Sequence, residues 1–460
     1  MQAERARLWP SYLLNYYANK SIEHKIGNQD VEIRLDSRDP RGHLVSMTKN
    51  ASTAPALGAD ILVVGGGLVG AVAARALAQS GFAVAVIDGT DPEEAKDAAF
   101  DGRASAIAAA SERLLSSIGV WPYLEAEVAP ILDIRVADGR SALFLHYDHE
   151  DVGEGPLGYL AENRHIRIAA LAALKDDPRI TFLAPIRVET LDRDATGVRA
   201  TLSDGRTVSA GLAIAADGRG SKIRETAGIR TTNWRYPQEA IVCTVEHEQP
   251  HGFVAHEHFL PAGPFAILPL KGTAEKPGCR SSIVWTERAR HARALVGLDD
   301  GAFLGELARR FGDFMGEIEV VGPRFCHPLG LQFAHASVAE RLVLVGDADH
   351  GMHPIAGQGL NMGYRDVAAL CDVLGEARRL GLDIGSAAVL QRYQRWRRFD
   401  NTLMLAVTDG LNRLFSNDIA PLRHARDLGL GLVNKMPPLK KMLMRSAMGL
   451  TGDLPTLMRR

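Results

Sequence analysis

From Ala59 onward the apolar and polar positions fall into a regular succession. The apolar run Ile61-Leu62-Val63-Val64 meets a glycine turn, a small-residue stretch from Ala71 to Ser80 follows, and a second apolar run from Ala83 to Ile87 stops at Asp88. This order predicts strand, helix, strand. The helix is rich in alanine, as a crossover helix lying tightly on a sheet must be, and such a crossover pairs its strands in parallel with a right-handed connection. Further helical stretches, Ser111 to Ile118 and Ile166 to Leu174, alternate with the apolar runs Ile180-Thr181-Phe182-Leu183 and Leu212-Ala213-Ile214-Ala215-Ala216, which extends the α/β layering.

Between about Ile241 and Val284 the helical period disappears. His256-Glu257-His258-Phe259 and Phe265-Ala266-Ile267-Leu268-Pro269-Leu270 read as strands of a separate sheet. A buried strand, Arg341 to Val345, then precedes a glycine-rich turn and a helix from about Leu360 to Leu380, and the remainder is mostly helical. The expected fold is α/β: a Rossmann-like domain, discontinuous in sequence, with an inserted β-sheet domain and a helical C-terminal region. Residues 1–57 are polar and read as an irregular N-terminal extension.

Composition narrows the function. The 460 residues carry 53 Lys and Arg against 55 Asp and Glu, so the basic excess of a phosphate-backbone binder is missing and nucleic acid is not expected as a partner. The four cysteines, Cys243, Cys279, Cys326 and Cys371, form no C-x-x-C pair, which argues against a zinc site or a disulfide framework and for a reducing cytoplasm. The most apolar stretch, Ile61 to Ala74, is shorter than the roughly 20 residues a membrane span needs. No apolar segment with a small-residue cleavage site opens the chain, so a secretory signal is not expected.

Chemistry enters at the first glycine turn. Gly65-Gly66-Gly67-Leu68-Val69-Gly70 satisfies G-x-G-x-x-G directly after a strand and at the opening of a helix. Gly65 permits the tight turn, Gly67 lets backbone approach a pyrophosphate, and Gly70 lets the helix pack close to the strand. The helix N-terminus offers unpaired N–H groups to the phosphates. Asp88, at the end of the second strand, can accept hydrogen bonds from both ribose hydroxyls of an adenosine and would repel a 2′-phosphate.

Two later runs carry a resemblance. Ala215-Ala216-Asp217-Gly218-Arg219-Gly220-Ser221-Lys222-Ile223-Arg224 is similar to the DG motif of single-component flavoprotein hydroxylases. Gly346-Asp347, followed by His353-Pro354-Ile355-Ala356-Gly357-Gln358-Gly359-Leu360-Asn361-Met362-Gly363 and Asp366, resembles their GD motif and the signature of the ubiquinone-biosynthesis hydroxylase family. The resemblance extends to Asp101-Gly102-Arg103, to Gly263-Pro264-Phe265-Ala266-Ile267-Leu268-Pro269 and to Ala447-Met448-Gly449-Leu450; it departs in Asp88, where such proteins usually carry Glu, and in residues 1–57.

The family implies FAD, NADH or NADPH as a transient reductant, O2, and hydroxylation of the ring of a polyprenylated phenol through a flavin C4a-hydroperoxide. It implies a division into an FAD-binding domain (58–134, 157–230 and 327–380), a substrate-binding sheet domain (135–156 and 231–326) and a helical C-terminal region (381–460). The cofactor-binding residues expected are Gly65, Gly67, Gly70, Asp88, Arg103, Asn163, Asp217, Gly218, Asp347, Gly357, Gly359 and Asn361. Arg103 and Asn163 rest on the resemblance, which places the first near the ribityl or pyrophosphate and the second on the helix behind it. Asp347 can bind a ribityl or ribose hydroxyl, and the glycines that open the following helix let N–H groups approach a flat ring.

Catalytic candidates are few, because the cofactor carries the hard chemistry. His256 and His258, two apart on a strand, share a face, and Pro354, Gly357 and Gln358 belong to the expected flavin-ring loop. His350 and His353 lie near Asp349, but Pro354 and the glycine turn argue against a helix presenting both imidazoles, so no metal is expected. Arg392, Arg395, Arg397 and Arg398 read as a solvated helix face. Lys435, Lys440, Lys441, Arg445, Arg459 and Arg460, interleaved with Leu439, Met442 and Leu443, read either as a basic amphipathic surface for anionic lipid or as a tail packed on the domain. Expected partners are therefore the prenylated phenol, O2, other ubiquinone-biosynthesis proteins and the inner face of the cytoplasmic membrane. A flavin hydroxylase of a small soluble aromatic acid, and a non-catalytic flavoprotein subunit of a biosynthetic complex, stay open as alternatives.

Overall fold

The computed structural model describes 22–26, 29–35, 44–48 and, from 57 on, all residues except 98–101, 140–143, 154, 354–356, 417–425, 427–428 and 460. Two compact units result, Met1–Ala56 and Leu57–Arg460. Asp101 and Pro354, both singled out by motif, lie outside the described residues.

The first unit corrects the expectation of an irregular extension. Ile22–Ile26, Gln29–Leu35 and Leu44–Thr48 form a three-stranded antiparallel meander. The alternation of Val31, Ile33 and Leu35 with Asp30, Glu32 and Arg34 is the strand signal that the polar composition concealed.

In the second unit the chain runs β1 (Ile61–Val64), α1 (Leu68–Gln79), β2 (Val84–Ile87), β3 (Ala104–Ala108), α2 (Ala109–Ser117), β4 (Asp133–Asp138), β5 (Phe144–Asp148), β6 (Gly158–Glu162), α3 (Asn163–Lys175), β7 (Ile180–Leu183), β8 (Leu212–Ala215) and α4 (Lys222–Thr226). It continues through β9 (Thr231–His247), β10 (Val254–Leu260), β11 (Gly263–Leu270), β12 (Arg280–Arg288), α5 (Ala289–Val296), α6 (Asp300–Phe311), β13 (Ile318–Ala334), β14 (Leu342–Leu344), β15 (His350–Gly351), α7 (Gln358–Arg379), α8 (Ala387–Phe415) and α9 (Pro437–Ala447).

Five strands pair in parallel in the order β7-β2-β1-β8-β14, and Val338–Ala339 closes one edge antiparallel. Every residue of β1, β2 and β8 is buried, because helices cover one face and further strands the other. The alanines of α1 sit in that core against β1 and β2. The second sheet has eight strands in the order β5-β4-β10-β11-β12-β9-β13-β15. Its β13 crosses the boundary expected near 326, and so joins the sheet domain to the α/β body.

Both faces of the eight-stranded sheet are occupied. Ile241, Cys243, Phe265, Ile267, Ile283 and Trp285 pack on one side with Phe303, Leu307 and Phe311 of α6. Residues of opposite parity point the other way, toward the α/β body. Side-chain alternation in these strands therefore separates two interiors rather than core from solvent.

Candidate functional site

A cavity of about 1560 Å3 lies between the parallel sheet and the inward face of the eight-stranded sheet. All the expected cofactor residues except Gly70 line it: Gly65, Gly67, Asp88, Arg103, Asn163, Asp217, Gly218, Asp347, Gly357, Gly359 and Asn361. Gly70 acts one layer back. A Cβ there would lie 1.8 Å from the Gly65 carbonyl oxygen, so only glycine lets α1 approach β1 this closely. Gly65 itself has φ +100°, and its Cβ would meet the Ala216 carbonyl oxygen at 2.4 Å. At Gly67 an added Cβ would meet nothing within 4 Å, leaving exposed backbone at the mouth of the helix.

Asp88 caps the turn as well as lining the cavity. Its Oδ2 accepts the Gly66 N–H at 2.5 Å and its Oδ1 accepts the Thr90 N–H at 2.7 Å. Asp217, at the end of β8, accepts the Ile223 N–H at 3.4 Å through Oδ2, whereas its buried Oδ1 has no partner. An orphaned acceptor facing a cavity suits a ligand hydroxyl. Together with the open backbone at Gly67 and the N-terminus of α1, it makes this end fit a dinucleotide such as FAD.

Other expected residues serve as fasteners. Asn361 accepts the Ala108 N–H at 2.9 Å and donates to the Ala106 carbonyl at 2.9 Å, clamping β3 to the start of α7. Asn163 accepts the Ser105 hydroxyl at 2.6 Å, and its backbone N–H donates to the Arg103 carbonyl. Gln358 donates to the Ala447 carbonyl at 3.2 Å, which ties α7 to the C-terminal region. Arg224 joins the two later motifs, donating to the Ala348 carbonyl at 2.7 Å and to the Arg219 carbonyl at 3.0 Å.

The loop bearing Asp347 is held from below by a buried ionic network that motif reasoning missed. Asp366 of α7 accepts from His350 Nε2 at 2.6 Å, Arg397 Nε at 2.8 Å and the Gly346 N–H at 3.1 Å. Burial opposes ionisation of Asp366, yet His350 and Arg397 hold its carboxyl below the usual carboxylate range; the same pairing holds His350 protonated above the usual imidazole range. Arg397 is 0% exposed, which corrects its assignment to a solvated helix face. Its bond to Asp366 pins α8 to α7, and within α8 its guanidinium also reaches Asp400 at 2.7 Å and Asn401 at 2.8 Å. His353 leans instead on Tyr236, with ring centroids 5.2 Å apart.

By strand pairing the two candidate histidines belong to the other side of the sheet, although His256, unlike His258, also lines the cavity. His256 and His258 pair with Ile267 and Phe265, whose side chains belong to the core under α6, and the His256 ring packs on Phe314 at 4.8 Å. Glu257, between them, shares its face with Ala255 and Phe259 and lines the cavity. Burial pushes its carboxyl up to about 7. A carboxylic acid amid apolar residues was the signal available in the sequence, hidden because strand parity relative to the cavity was unknown.

The cavity's remaining wall is apolar. Val407, Leu411 and Phe415 of α8, Leu430 and Val433 from 429–434, and Leu443 of α9 line it. Phe259 stacks on Phe415 with ring centroids 4.0 Å apart, and Arg426 anchors this region through Asp138 of β4 at 2.7 Å. Of the expected basic tail, Lys440 pairs with Asp151 at 2.5 Å and Arg459 with Asp453 at 3.5 Å; Lys435 and Lys441 are exposed.

Comparison with known proteins agrees with this architecture. Residues 58–399 match the model of the FAD binding domain family. The chain is 56% identical over 404 residues to the ubiquinone hydroxylase UbiL of Rhodospirillum rubrum, covering 87% of this chain and 92% of that protein. It is 36% identical over 393 residues to the 3-demethoxyubiquinol 3-hydroxylase of Escherichia coli, covering 85% and 98%. Among solved structures, p-nitrophenol 4-monooxygenase PnpA from Pseudomonas putida DLL-E4 shares the fold, with a TM-score of 0.71 at 18% identity over 86% of this chain and 99% of that one. The chain belongs to the FAD-dependent monooxygenase family of the ubiquinone-biosynthesis hydroxylases.

Proposed function

We propose that this protein hydroxylates the aromatic ring of a polyprenylated phenol in ubiquinone biosynthesis, using FAD, a nicotinamide reductant and O2. The observation that carries this reading is the two-ended cavity. At about 1560 Å3 it exceeds the roughly 300–1,000 Å3 of a pocket for one small ligand. One end has dinucleotide-binding loops and the other has aliphatic and aromatic side chains.

Gly67 and the α1 N-terminus would hold the pyrophosphate, Asp88 the adenosine ribose, and Asp217 and Asp347 hydroxyls of the ribityl chain. Arg103 and Asn163 would flank that chain, and the start of α7 at Gly357 and Gly359 would present N–H groups to the ring system. Bound FAD supplies hydride acceptance and oxygen activation. The chain's own task is then to orient the phenol, keep water from the reacting atoms and manage its proton. The cations that line the cavity, Arg103, Arg167, Arg187, Arg219 and Lys222, all belong to the α/β part. Among the described residues the sheet face offers no Lys or Arg lining the cavity for a substrate carboxylate, which favours the prenylated phenol over a soluble aromatic acid.

Delivery of a lipid-tailed substrate suits the outer face of α8, where Phe399 is 70% exposed and Leu403 and Val407 continue the apolar stripe to the cavity. Lys435 and Lys441 are also exposed, and binding to vesicles containing anionic lipid is expected to weaken in the Phe399→Ser, Leu403→Ser double variant. No helix among the described residues is long and apolar enough to cross a membrane.

The deciding experiment is turnover of purified protein with a short-chain prenylphenol, nicotinamide and 18O2. A product carrying one labelled oxygen is expected; flavin-loaded protein that yields only peroxide, with each nicotinamide tested, would refute the reading.

A further inference from the structure

Glu257 stands near the middle of β10, with Ala255 and Phe259 as its neighbours on the cavity face. The register sets it beside Val136 of β4 and Ala266 of β11, which also line the cavity. Its residual exposure is to that interior. Among the described residues it makes no hydrogen bond and no ion pair. A carboxyl group in apolar surroundings costs free energy unless something bound there engages it.

Nearby ionic groups are already committed elsewhere. Asp138 of β4 pairs with Arg426, and Asp409 of α8 pairs with Tyr236 and Arg413. The strands paired with β10 present only apolar side chains to the cavity beside Glu257. The other titratable groups on this sheet face are Tyr147 of β5 and His327 of β13, and charged groups such as Arg103, Asp217 and Asp347 stand at the dinucleotide end.

Resting on the reading of the cavity as a phenol hydroxylase site, we propose that Glu257 is the base that takes the hydroxyl proton of the substrate ring. Hydroxylation needs an electron-rich ring carbon, and removing the phenol proton raises the electron density at the positions ortho and para to oxygen. The phenol O–H bond breaks and its proton goes to a Glu257 carboxylate oxygen, while a ring carbon forms a C–O bond to one atom of O2. The O–O bond breaks and the second oxygen leaves as water. Transfer of the ring C–H proton to the ring's carbonyl oxygen restores aromaticity and gives the diphenol, and Glu257 releases its proton to solvent. The sum is phenol, O2, NAD(P)H and a proton giving diphenol, NAD(P)+ and water, with two electrons from the nicotinamide and two from the ring.

Burial raises the affinity of this carboxyl for a proton from the ordinary 4.5 to about 7, closer to the phenol value of about 10. The ordinary carboxylate would be a far weaker base.

The test uses FAD-loaded protein, a short-chain prenylphenol and the variants Glu257→Gln and Glu257→Asp. For the wild type, kcat/KM is expected to rise with pH through about 7. Glu257→Gln is expected to lose that limb and about a hundredfold in hydroxylation rate with flavin content unchanged, while Glu257→Asp keeps the limb at a lower rate. A second readout is substrate acidity: a prenylphenol whose ring substituent lowers the hydroxyl pKa is expected to restore rate in Glu257→Gln more than in the wild type. A Glu257→Gln protein with the wild-type profile and no such selective recovery overturns the proposal while leaving the hydroxylase reading intact. Should Glu257→Gln lose flavin, an unchanged rate in Glu257→Asp overturns it equally. Wild-type protein that fails to bind or hydroxylate any prenylphenol removes the hydroxylase reading and this proposal with it.

Discussion

Two carboxyl groups withdrawn from bulk water, Asp366 under the Asp347 loop and Glu257 on the sheet face, meet opposite environments. Asp366 accepts from His350, Arg397 and the Gly346 N–H, and stays ionised although wholly buried. Glu257 has apolar neighbours, and burial favours its protonated form. Compensated charge fastens α7 and α8 to the loop beneath the cofactor end of the cavity. A carboxyl group without donors is left where a substrate would sit. Burial alone therefore says little about a carboxylate's role; the count of donors around it decides.

The largest expected effect separates these two regions. Asp366→Ala takes from His350 its carboxylate partner and leaves Arg397 with Asp400 alone, and removal of one partner from such a buried pair costs about 3–5 kcal/mol. Reduced thermal stability and loss of flavin during purification are expected. Retention of both at wild-type levels would mean that the network holds nothing in place.

A smaller effect, about 1–3 kcal/mol, is expected for Gly70→Ala, whose Cβ has no room against the Gly65 carbonyl. Gly67→Ala meets open space instead, so its melting temperature should stay near wild type while flavin affinity falls. Equal losses of stability in the two variants would contradict the separation of packing and cradle glycines.

Glu257→Gln tests the other region through stability. The folded-state affinity for a proton, near 7, lies above the ordinary 4.5, so the wild-type side chain reduces stability progressively as pH rises from 4.5 to 7 and by a constant amount above that. The variant should match the wild type below the lower value and exceed it by on the order of 3 kcal/mol above the upper one. Denaturant unfolding at several pH values measures this. Least affected should be His256→Ala and His258→Ala, whose strand pairing sets them with Ile267 and Phe265 of the core under α6; hydroxylation within about twofold of wild type is expected of each, a shift of about 0.4 kcal/mol or less.

The cradle was legible because its parts are contiguous. Strand, glycine turn, helix and terminal acid occupy 61–88, and the steric requirement at Gly70 acts against Gly65 in the same turn, although the one at Gly65 is set by Ala216 after β8. The roles of Asn361 and Arg397 were not. Asn361 clamps a strand more than two hundred residues earlier, and the arginine run at 392–398 looks solvated until α7 covers one of its members. The N-terminal strands were missed for a different reason, since their alternation is short and set among polar residues.

What the chain determines by itself is therefore local: which segments are strands or helices, where glycine is compulsory, and that a dinucleotide fits the first turn. Tertiary structure alone decided which side of β10 meets the cavity. Alternation assigns His256 and His258 to one face and Glu257 to the other, but both faces of this sheet are covered, so polarity cannot reveal which cover is the reaction chamber. That choice follows from the long-range packing of α6 on one side and the α/β body on the other.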